Sequence, residues 1–365
     1  MANLNSKASY MLALTVGLLL VILALALSDP VAVAVRVAGV NPIYLALACL
    51  LDLVAIIFYA LAWVATARAL GVDVSVSDGF VGSVLGLMAD KVVASASISG
   101  EIVRLLYVKQ RRSNVSYAGL LATIMVHRFL YNVAFIAILL FALMDLARTS
   151  PLSPSLLSVS LLAATGTFAT SYLLVKPESI KGVACALVKR FEGLVQRFTA
   201  GRLDLVARTG EFIDNVSVSV KNAWKRKGLM ILAALLMVLQ WSAGAVELGA
   251  LFSSINYSVS LWILLIVFPL HCYFTALPVG IPAALGVTEV GTLLLLTAFG
   301  VEKSAAMAVT VLTRLVEVWF ELALGLFVAA VTGVLQQGYR VYEWVREAAL
   351  HGVVHHVGVK GVERS

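Results

Sequence analysis

The chain has 365 residues, of which 61% are hydrophobic and 13% are charged, and its mean hydropathy is +0.98. Soluble globular domains are about half apolar and about a quarter charged, so this composition excludes a soluble protein and indicates a polytopic helical membrane protein. The net charge of +7 comes from cations that cluster in two loops and the C-terminal tail. Such clustering is typical of membrane topology, and we expect a multi-pass protein of the cell membrane with no nucleic-acid partner.

Apolar runs near the length of about 20 residues that crosses a bilayer core predict the membrane helices in chain order. The first run has a weakly basic start and no clear cleavage site, which favours a membrane helix over a signal peptide. Two shorter segments, 79–99 and 279–300, are rich in Gly, Ala, Ser or Pro and are expected to be broken or re-entrant helices. The fold class is therefore all-α, with about 7–9 membrane helices. The full-length spans are predicted at 9–28, 42–67, 117–147, 156–175, 228–252, 260–277 and 305–333.

The segment 177–227 interrupts this pattern with ten Lys/Arg against five Asp/Glu. Its apolar residues still recur at helical spacing, which predicts two amphipathic helices on the membrane surface. The excess of Lys and Arg places this segment in the cytoplasm, together with the basic loop around Arg104 and Arg112. We expect 1–334 to form a single integral membrane domain and 335–365 to form an amphipathic, basic tail.

Two distant stretches, 98–135 and 284–320, share an order of features. Each has a turn of small residues with a glutamate, a polar gap, and then a helix that carries one arginine. The separations from Glu101 to Arg128 and from Glu289 to Arg314 are 27 and 25 residues. This order predicts an internal structural repeat of the kind from which many transporters are built.

The two intramembrane arginines are the main candidates for chemistry. An arginine near a helix centre costs about 2.5–3.5 kcal/mol on insertion scales, so it normally faces a partner or a polar cavity. Arg128 and Arg314 are therefore predicted either to form packing ion pairs or to bind an anion such as a lipid phosphate, whose oxygens match the guanidinium fork. Glu317 and Glu321 follow Arg314 on the same helix face.

Other polar residues extend this candidate site. Glu101 and Glu289 follow glycines at helix starts, where a carboxylate either caps the helix or lines a hydrophilic cavity. Asp90 and Lys91 are adjacent in the chain and do not share a helix face, so at least one needs a partner elsewhere. The binding residues proposed from sequence are Asp90, Lys91, Glu101, Arg104, Arg128, Glu289, Arg314 and Glu317.

Further polar and aromatic residues lie within predicted spans. Asp52, Glu247 and His271 either relay protons or pair with a neighbour, and Trp241 is expected at the membrane interface. Phosphate-loop, GxSxG, HExxH and Cys-x-x-Cys motifs do not occur in the sequence, and the three cysteines do not have metal-site spacing. We expect no catalytic residues, no metal and no cofactor.

The ordered motifs resemble the lysylphosphatidylglycerol synthase transmembrane-region family, also called flippase-like domain proteins. The resemblance covers residues 10–333, although the first turn lacks a proline and has Asp90-Lys91 where an uncharged polar residue is more usual. The motifs that carry it are "SISGEIVR" (97–104), "MVHRFL" (125–130), "LQWSAGAVEL" (239–248), "PVGIPAALGVTEVG" (278–291) and "VLTRLVE" (311–317).

The resemblance implies a membrane domain that moves phospholipids or lipid-linked sugars between leaflets. The aminoacyl-transferase domain of the namesake members is missing, so we do not expect a synthase. Transport would be passive or coupled to an ion gradient, with Glu247, Glu289 and Glu317 as candidate proton carriers. One alternative is a membrane scaffold that docks a soluble glycosyltransferase or aminoacyltransferase. Another is a membrane enzyme that acts on a polyprenyl phosphate.

Overall fold

The computed structural model describes residues 2–93, 97–149, 154–199, 205–277 and 279–334. The predicted tail at 335–365 lies outside them. The first half contains α1 (Ala2–Ala26), α2 (Pro30–Ala38), α3 (Pro42–Ala69), α4 (Val76–Val92), α5 (Ile98–Arg111), α6 (Tyr117–Thr149) and α7 (Pro154–Val175). The second half contains α8 (Lys181–Thr199), α9 (Leu205–Ala223), α10 (Lys227–Ser254), α11 (Leu261–Thr275), α12 (Val287–Ala298), α13 (Lys303–Arg314) and α14 (Glu321–Val331).

Every regular element in the described chain is helical, which confirms the all-α polytopic fold. By length and composition, α3, α6, α7 and α10 are able to cross a membrane, and α1 with α2 gives a fifth span if this pair, bent by 89°, is counted as one. The helices α13 and α14 follow each other without a break, because the π-helical turn Leu315–Phe320 joins them. Exposed Leu, Val and Phe side chains cover the outer faces of these helices, as expected for contact with lipid.

The centre of the bundle is the pair formed by α3 and α10, which run antiparallel. At one end, the backbone N–H of Asn41 donates to the carbonyl oxygen of Ser254 at 2.8 Å. At the other end, Nη1 of Arg226 donates to the carbonyl oxygen of Arg68 at 2.5 Å. The start of each helix therefore lies beside the end of the other, and large side chains such as Trp63 are completely buried in this region.

The first short segment folds as a helical hairpin, α4–α5, that enters and leaves on one side. Arg112, which follows α5, binds Asp73 and Asp78 at the start of α4, with 3.0 Å between the paired atoms in both cases. The chain reverses near Ser97, whose φ of 65° is left-handed. A Cβ atom on Gly100 would lie 2.7 Å from the carbonyl oxygen of Gly86, so only glycine allows the two arms to approach this closely.

The second short segment is also one arm of a hairpin, and its partner arm is α11. The hydroxyl of Tyr257, before α11, accepts a hydrogen bond of 3.2 Å from the backbone N–H of Glu302, after α12. The prediction of a complete span at 260–277 was therefore wrong. The helix Leu261–Thr275 has only 15 residues, because the Pro/Gly-rich turn that follows it reverses the chain.

The two halves of the protein repeat the same order of elements. A long helix (α3 or α10) is followed by a hairpin (α4–α5 or α11–α12) and then by a helix that carries an arginine (α6 or α13). Because α3 and α10 are antiparallel, the two hairpins enter from opposite sides. The result is an inverted repeat, an arrangement in which many transporters place their binding site at the interface of the halves.

The basic segment forms α8 and α9, but the two helices use their apolar faces differently. Val216 and Val220 of α9 are buried where this helix packs against α6. Val183 and Leu187 of α8 remain exposed. The described apolar residues of α8 therefore face outward and those of α9 pack inward, whereas the prediction placed both helices on the membrane surface.

Candidate functional site: a charged cavity between the two repeats

A cavity of about 460 Å³ lies between the two halves. Its volume is in the range typical of small-molecule sites. Unlike such sites, it concentrates charged side chains in an otherwise apolar bundle. The charged residues in its lining are Asp52, Asp90, Lys91, Glu101, Arg104, Arg128, Glu247, Glu317 and Glu321.

Glu101 connects two arginines of the cavity lining. Its Oε1 accepts a hydrogen bond of 2.5 Å from Nε of Arg128, and its Oε2 accepts one of 2.9 Å from Nη1 of Arg104. Tyr59 also belongs to this group, because its hydroxyl accepts from Nη1 of Arg104 at 2.9 Å. The three charged side chains together carry a net charge of +1.

Arg128 has hydrogen-bond donors that the described part of the chain does not use. Its Nε binds Glu101, but its two terminal nitrogens have no hydrogen-bond partner within the described part of the chain. The side chain is 24% exposed and lines the cavity. Two guanidinium N–H groups in this arrangement can bind two oxygens of one phosphate or carboxylate.

Arg104 does not lie in a cytoplasmic loop as predicted. It belongs to the second arm of the first hairpin and is only 2% exposed. Its guanidinium carbon lies 4.0 Å from the ring centroid of Trp63 and 5.0 Å from that of Tyr59. Arg104 therefore fixes the position of Glu101 within the protein, since stacking on aromatic rings and a carboxylate offsets the cost of burying its charge.

Asp90 and Lys91 have separate partners, as their adjacent positions require. Oδ1 of Asp90 accepts hydrogen bonds from Oγ of Ser99 at 2.8 Å and from the backbone N–H of Gly100 at 2.7 Å. Asp90 thus caps the start of α5 and closes the first hairpin. Lys91 instead reaches the other half of the protein, where its Nζ lies 3.2 Å from Oε2 of Glu321.

Glu289 and Arg314 form the counterpart of the Glu101–Arg128 pair. Nε and Nη2 of Arg314 donate to Oε1 and Oε2 of Glu289 at 2.8 and 3.1 Å. Oε2 also accepts from the backbone N–H of Gly286 at 2.6 Å, so this carboxylate both caps α12 and pairs with the arginine. Arg314 lines a smaller cavity of about 70 Å³. Asp90 and Lys91 line both this cavity and the larger one.

The structure places the predicted residue Glu317 in the same cavity as three acidic residues that were absent from the predicted binding set. Glu317 accepts a hydrogen bond from, or donates one to, Nε2 of His271 at 2.9 Å, while its Oε1 has no partner among the described residues. Asp52, Glu247 and Glu321 face the same space from α3, α10 and α14. Their sequence signal was a carboxylate inside an apolar run, and Glu321 also lies on the same helix face as Arg314.

Trp241 is part of the cavity wall and not an interfacial residue. It is 1% exposed, and its ring centroid lies 4.6 Å from that of Tyr131 and 5.9 Å from that of Phe268. Its Nε1 donates to the carbonyl oxygen of Tyr131 at 3.1 Å. The prediction failed here because the position of an aromatic residue in a span does not show which side of the helix faces protein.

The cavity thus combines Arg128, whose terminal nitrogens can hold an anion, with an excess of carboxylates in its lining. Within the described ranges, His, Cys, Asp and Glu side chains do not gather in groups of three or more that could hold a metal ion. These side chains can bind charged groups and protons.

Two relatives of the chain are membrane proteins. The chain is 24% identical over 292 residues to a UPF0104 membrane protein of Methanothermobacter thermautotrophicus, an alignment covering 78% of this chain and 84% of the relative. It is 23% identical over 287 residues to a UPF0104 membrane protein of Pyrococcus horikoshii, covering 77% and 85%. No solved structure matches the chain.

The family comparison covers both repeats and the cavity between them. The model of the lysylphosphatidylglycerol synthase TM region matches residues 10–325, which include every charged residue of the cavity lining. A match of this length, together with the two relatives, establishes a multi-pass membrane protein. The chain belongs to the lysylphosphatidylglycerol synthase TM region family.

Proposed function

We propose that this protein moves a phosphate-containing lipid, or a lipid-linked sugar, between the leaflets of its membrane. The observation that carries the proposal is Arg128, which has two unpaired terminal nitrogens in a charged cavity between inverted repeats. A headgroup phosphate accepts hydrogen bonds from these nitrogens while the lipid tails stay in the bilayer. Fixed donors then replace part of the headgroup's hydration and lower the barrier to crossing.

Glu101 makes Arg128 suitable for transient binding. The carboxylate holds the guanidinium by one hydrogen bond and is itself held by Arg104, so Arg128 stays oriented when the cavity is empty. A bound phosphodiester, with one negative charge, would neutralise the net charge of +1 that Glu101, Arg104 and Arg128 carry. Binding of this kind is reversible, as transport requires, because the phosphate competes with a carboxylate that is already in place.

The proposal is tested with purified protein in liposomes that contain fluorescent phosphatidylglycerol, fluorescent phosphatidylethanolamine or a polyprenyl-phosphate sugar. A membrane-impermeant reductant or lectin reports how fast each probe changes leaflet. We expect faster exchange than in protein-free liposomes for at least one headgroup. The absence of faster exchange for all three classes would overturn the proposal.

Variants of Arg128 connect the activity to the cavity. We expect Arg128→Ala to exchange lipid at the rate of protein-free liposomes and Arg128→Lys to retain part of the activity, since lysine keeps the charge but loses the fork. Arg104 still neutralises Glu101 in both variants, so the fold should persist. The control is Arg148→Ala at the exposed end of α6, where the side chain is 74% exposed. Full activity in Arg128→Ala would also overturn the proposal.

A further inference from the structure

Four carboxyl groups line the same cavity as one lysine. Asp52 belongs to α3, Glu247 to α10, Glu317 to the π-helical turn and Glu321 to α14, and all four interact electrostatically. Lys91 of α4 is the cation among them. Each of the four acids is more than nine-tenths buried, so an unpaired negative charge here is costly.

Two of these acids present oxygen atoms without partners. Oδ2 of Asp52 and Oε1 of Glu317 are buried and have no hydrogen-bond partner among the described residues, although both side chains line the cavity. Asp52 and Glu247 take part in none of the hydrogen bonds or ion pairs that the described chain forms. A buried carboxylate without a donor is stable only if it carries a proton or binds a cation.

The surrounding groups do not supply enough positive charge. His271 of α11 binds Glu317, and Arg314 of α13 is already bound by both oxygens of Glu289. The other titratable groups that face the cluster are the neutral thiols Cys49 and Cys272, Tyr131, and the carboxylate of Asp90, which is held by the start of α5. Lys91 and His271 together therefore offset at most two of the four acids.

We propose that Asp52, Glu247, Glu317 and Glu321 form a proton-binding site that couples proton movement to the lipid transport proposed above. The ligand is a proton and not a metal ion, because the described His, Cys, Asp and Glu side chains do not converge as metal ligands. This set differs from the carriers predicted by sequence. Glu289 is excluded because Arg314 and the N–H of Gly286 occupy its carboxylate.

The ion pair between Lys91 and Glu321 transmits the state of this site. It joins α4 of the first hairpin to α14 of the second repeat, beside the contact between Met88 and Gly325. When a proton binds to the Glu321 carboxylate, the ion pair breaks, and the Lys91 ammonium keeps its own proton and turns to another carboxylate. Loss of the proton to water restores the pair, so no other reactant is needed.

The first hairpin carries this change to the arginines. Lys91 is followed by the turn that Asp90 closes through Ser99 and Gly100, and Glu101 is the next residue along α5. Movement of α4 relative to α14 thus reaches the Glu101–Arg128 hydrogen bond through the hydrogen bonds that Asp90 accepts from Ser99 and Gly100. A proton on the acidic cluster thus changes how firmly Arg128, where the phosphate binds, is held.

Infrared spectroscopy tests the site without any transport. In the full chain, reconstituted in liposomes at pH 7, we expect carbonyl stretching absorption from protonated carboxyl groups. Asp52→Asn and Glu247→Gln should each reduce this absorption, and Glu211→Gln on the exposed face of α9 should leave it unchanged. Absence of the absorption in the wild-type protein, or equal absorption in all variants, would overturn the proton site.

Transport measurements test the coupling separately. Proteoliposomes that contain a pH-sensitive dye and fluorescent phosphatidylglycerol are given a pH gradient or a sodium gradient. We expect the pH gradient alone to change the wild-type exchange rate, with proton movement, and Asp52→Asn and Glu247→Gln to lose this dependence. Lipid exchange that ignores the pH gradient, or follows the sodium gradient, would overturn the coupling but leave the transporter function standing. Infrared absorption with the expected variant effects but no lipid exchange would overturn the transporter function and leave the proton-binding site standing.

Discussion

Arg314 of α13 donates two hydrogen bonds to Glu289 of α12, from Nε at 2.8 Å and from Nη2 at 3.1 Å. Both side chains are nearly buried, with 12% and 4% of their surfaces exposed. The pair fastens the second hairpin to the helix that follows it. The corresponding pair in the first repeat, Glu101 with Arg128, is held by one hydrogen bond and is more open. The two halves thus have matching ion pairs, but Glu289–Arg314 is held by two hydrogen bonds and Glu101–Arg128 by one.

Removal of Arg314 should destabilise the protein strongly. Arg314→Met leaves the Glu289 carboxylate buried without its cation, and we expect a loss of about 3–5 kcal/mol in the free energy of unfolding. Adding Glu289→Gln should recover much of this loss, since glutamine still accepts from the N–H of Gly286. The measurement is chemical unfolding in detergent. The control is Arg36→Met, because its pair with Glu302 is exposed and its loss should change little.

The re-entrant arrangement of both hairpins predicts which positions are labelled from each side. After replacement of the three native cysteines, Ser77→Cys and Ser113→Cys flank the first hairpin, whereas Ser258→Cys and Lys303→Cys flank the second. An impermeant maleimide applied to sealed vesicles should label the two members of each pair from the same side. The two pairs should react from opposite sides. Labelling of Ser258→Cys and Lys303→Cys from different sides would show that this segment spans the membrane.

The close approach within the first hairpin should make Gly100 intolerant of any side chain. A Cβ atom there would lie 2.4 Å from Oδ2 of Asp90 and 2.7 Å from the carbonyl oxygen of Gly86. We expect Gly100→Ala to lower the unfolding free energy by about 1–3 kcal/mol, since overpacking forces the two arms apart. The matched control is Gly182→Ala in α8, where a Cβ atom meets nothing within 4 Å. It should be neutral or stabilising, and equal stability of the two variants would contradict the hairpin packing.

The junction before α8 should weaken in acid. The hydroxyl of Ser217, which donates to the Glu178 carboxylate at 2.7 Å, lowers the pKa of that carboxyl group from an ordinary value of 4.5 to about 2, with Lys221 also contributing. Since the folded pKa is the lower one, this stabilisation is complete above pH 4.5 and is lost as the pH falls towards 2. Because the side chain is 40% exposed, the effect is small.

The measurement for Glu178 is hydrogen exchange in α9 at pH 7 and pH 3. Wild-type α9 should lose protection at pH 3 by more than α9 of the Glu178→Gln variant, which lacks the titrating group. Glu211→Gln, on the same helix and exposed, should keep the wild-type difference. Identical pH dependence in all three proteins would rule out this role for Glu178.

The positions of the long helices could be predicted from the sequence because a continuous apolar run of sufficient length has few other solutions. The predicted spans at 42–67 and 228–252 correspond closely to α3 and α10. The matched order of glutamate and arginine in two stretches identified the four residues of the two ion pairs, but their pairing with each other was not predicted. The span at 260–277 was misassigned because hydropathy cannot distinguish a crossing helix from the arm of a hairpin.

The roles of individual residues inside the site were harder to predict from the sequence. Arg104 and Lys109 both look like residues of a basic loop, yet Arg104 is stacked on Trp63 at depth. The partner of Lys91 lies on another helix, and Asp52 and Glu247 line a cavity that several other helices complete, at separations that no local pattern encodes. Arg128 and Arg314 were both identified from the sequence. It did not show that Glu289 binds two nitrogens of Arg314 whereas Glu101 binds only one of Arg128.

The sequence alone thus determined that the protein is a helical membrane protein with charges that need partners, because the cost of a charge in lipid can be calculated residue by residue. Tertiary structure decided which of those charged side chains are paired within the protein and which remain available to bind a ligand. Antiparallel packing of α3 and α10 places the two hairpins opposite each other, and the space between them collects carboxylates from four elements. Burial and the geometry of neighbouring helices are properties of the assembled bundle. They leave two nitrogens of Arg128 without a partner, whereas Glu289 binds two nitrogens of Arg314.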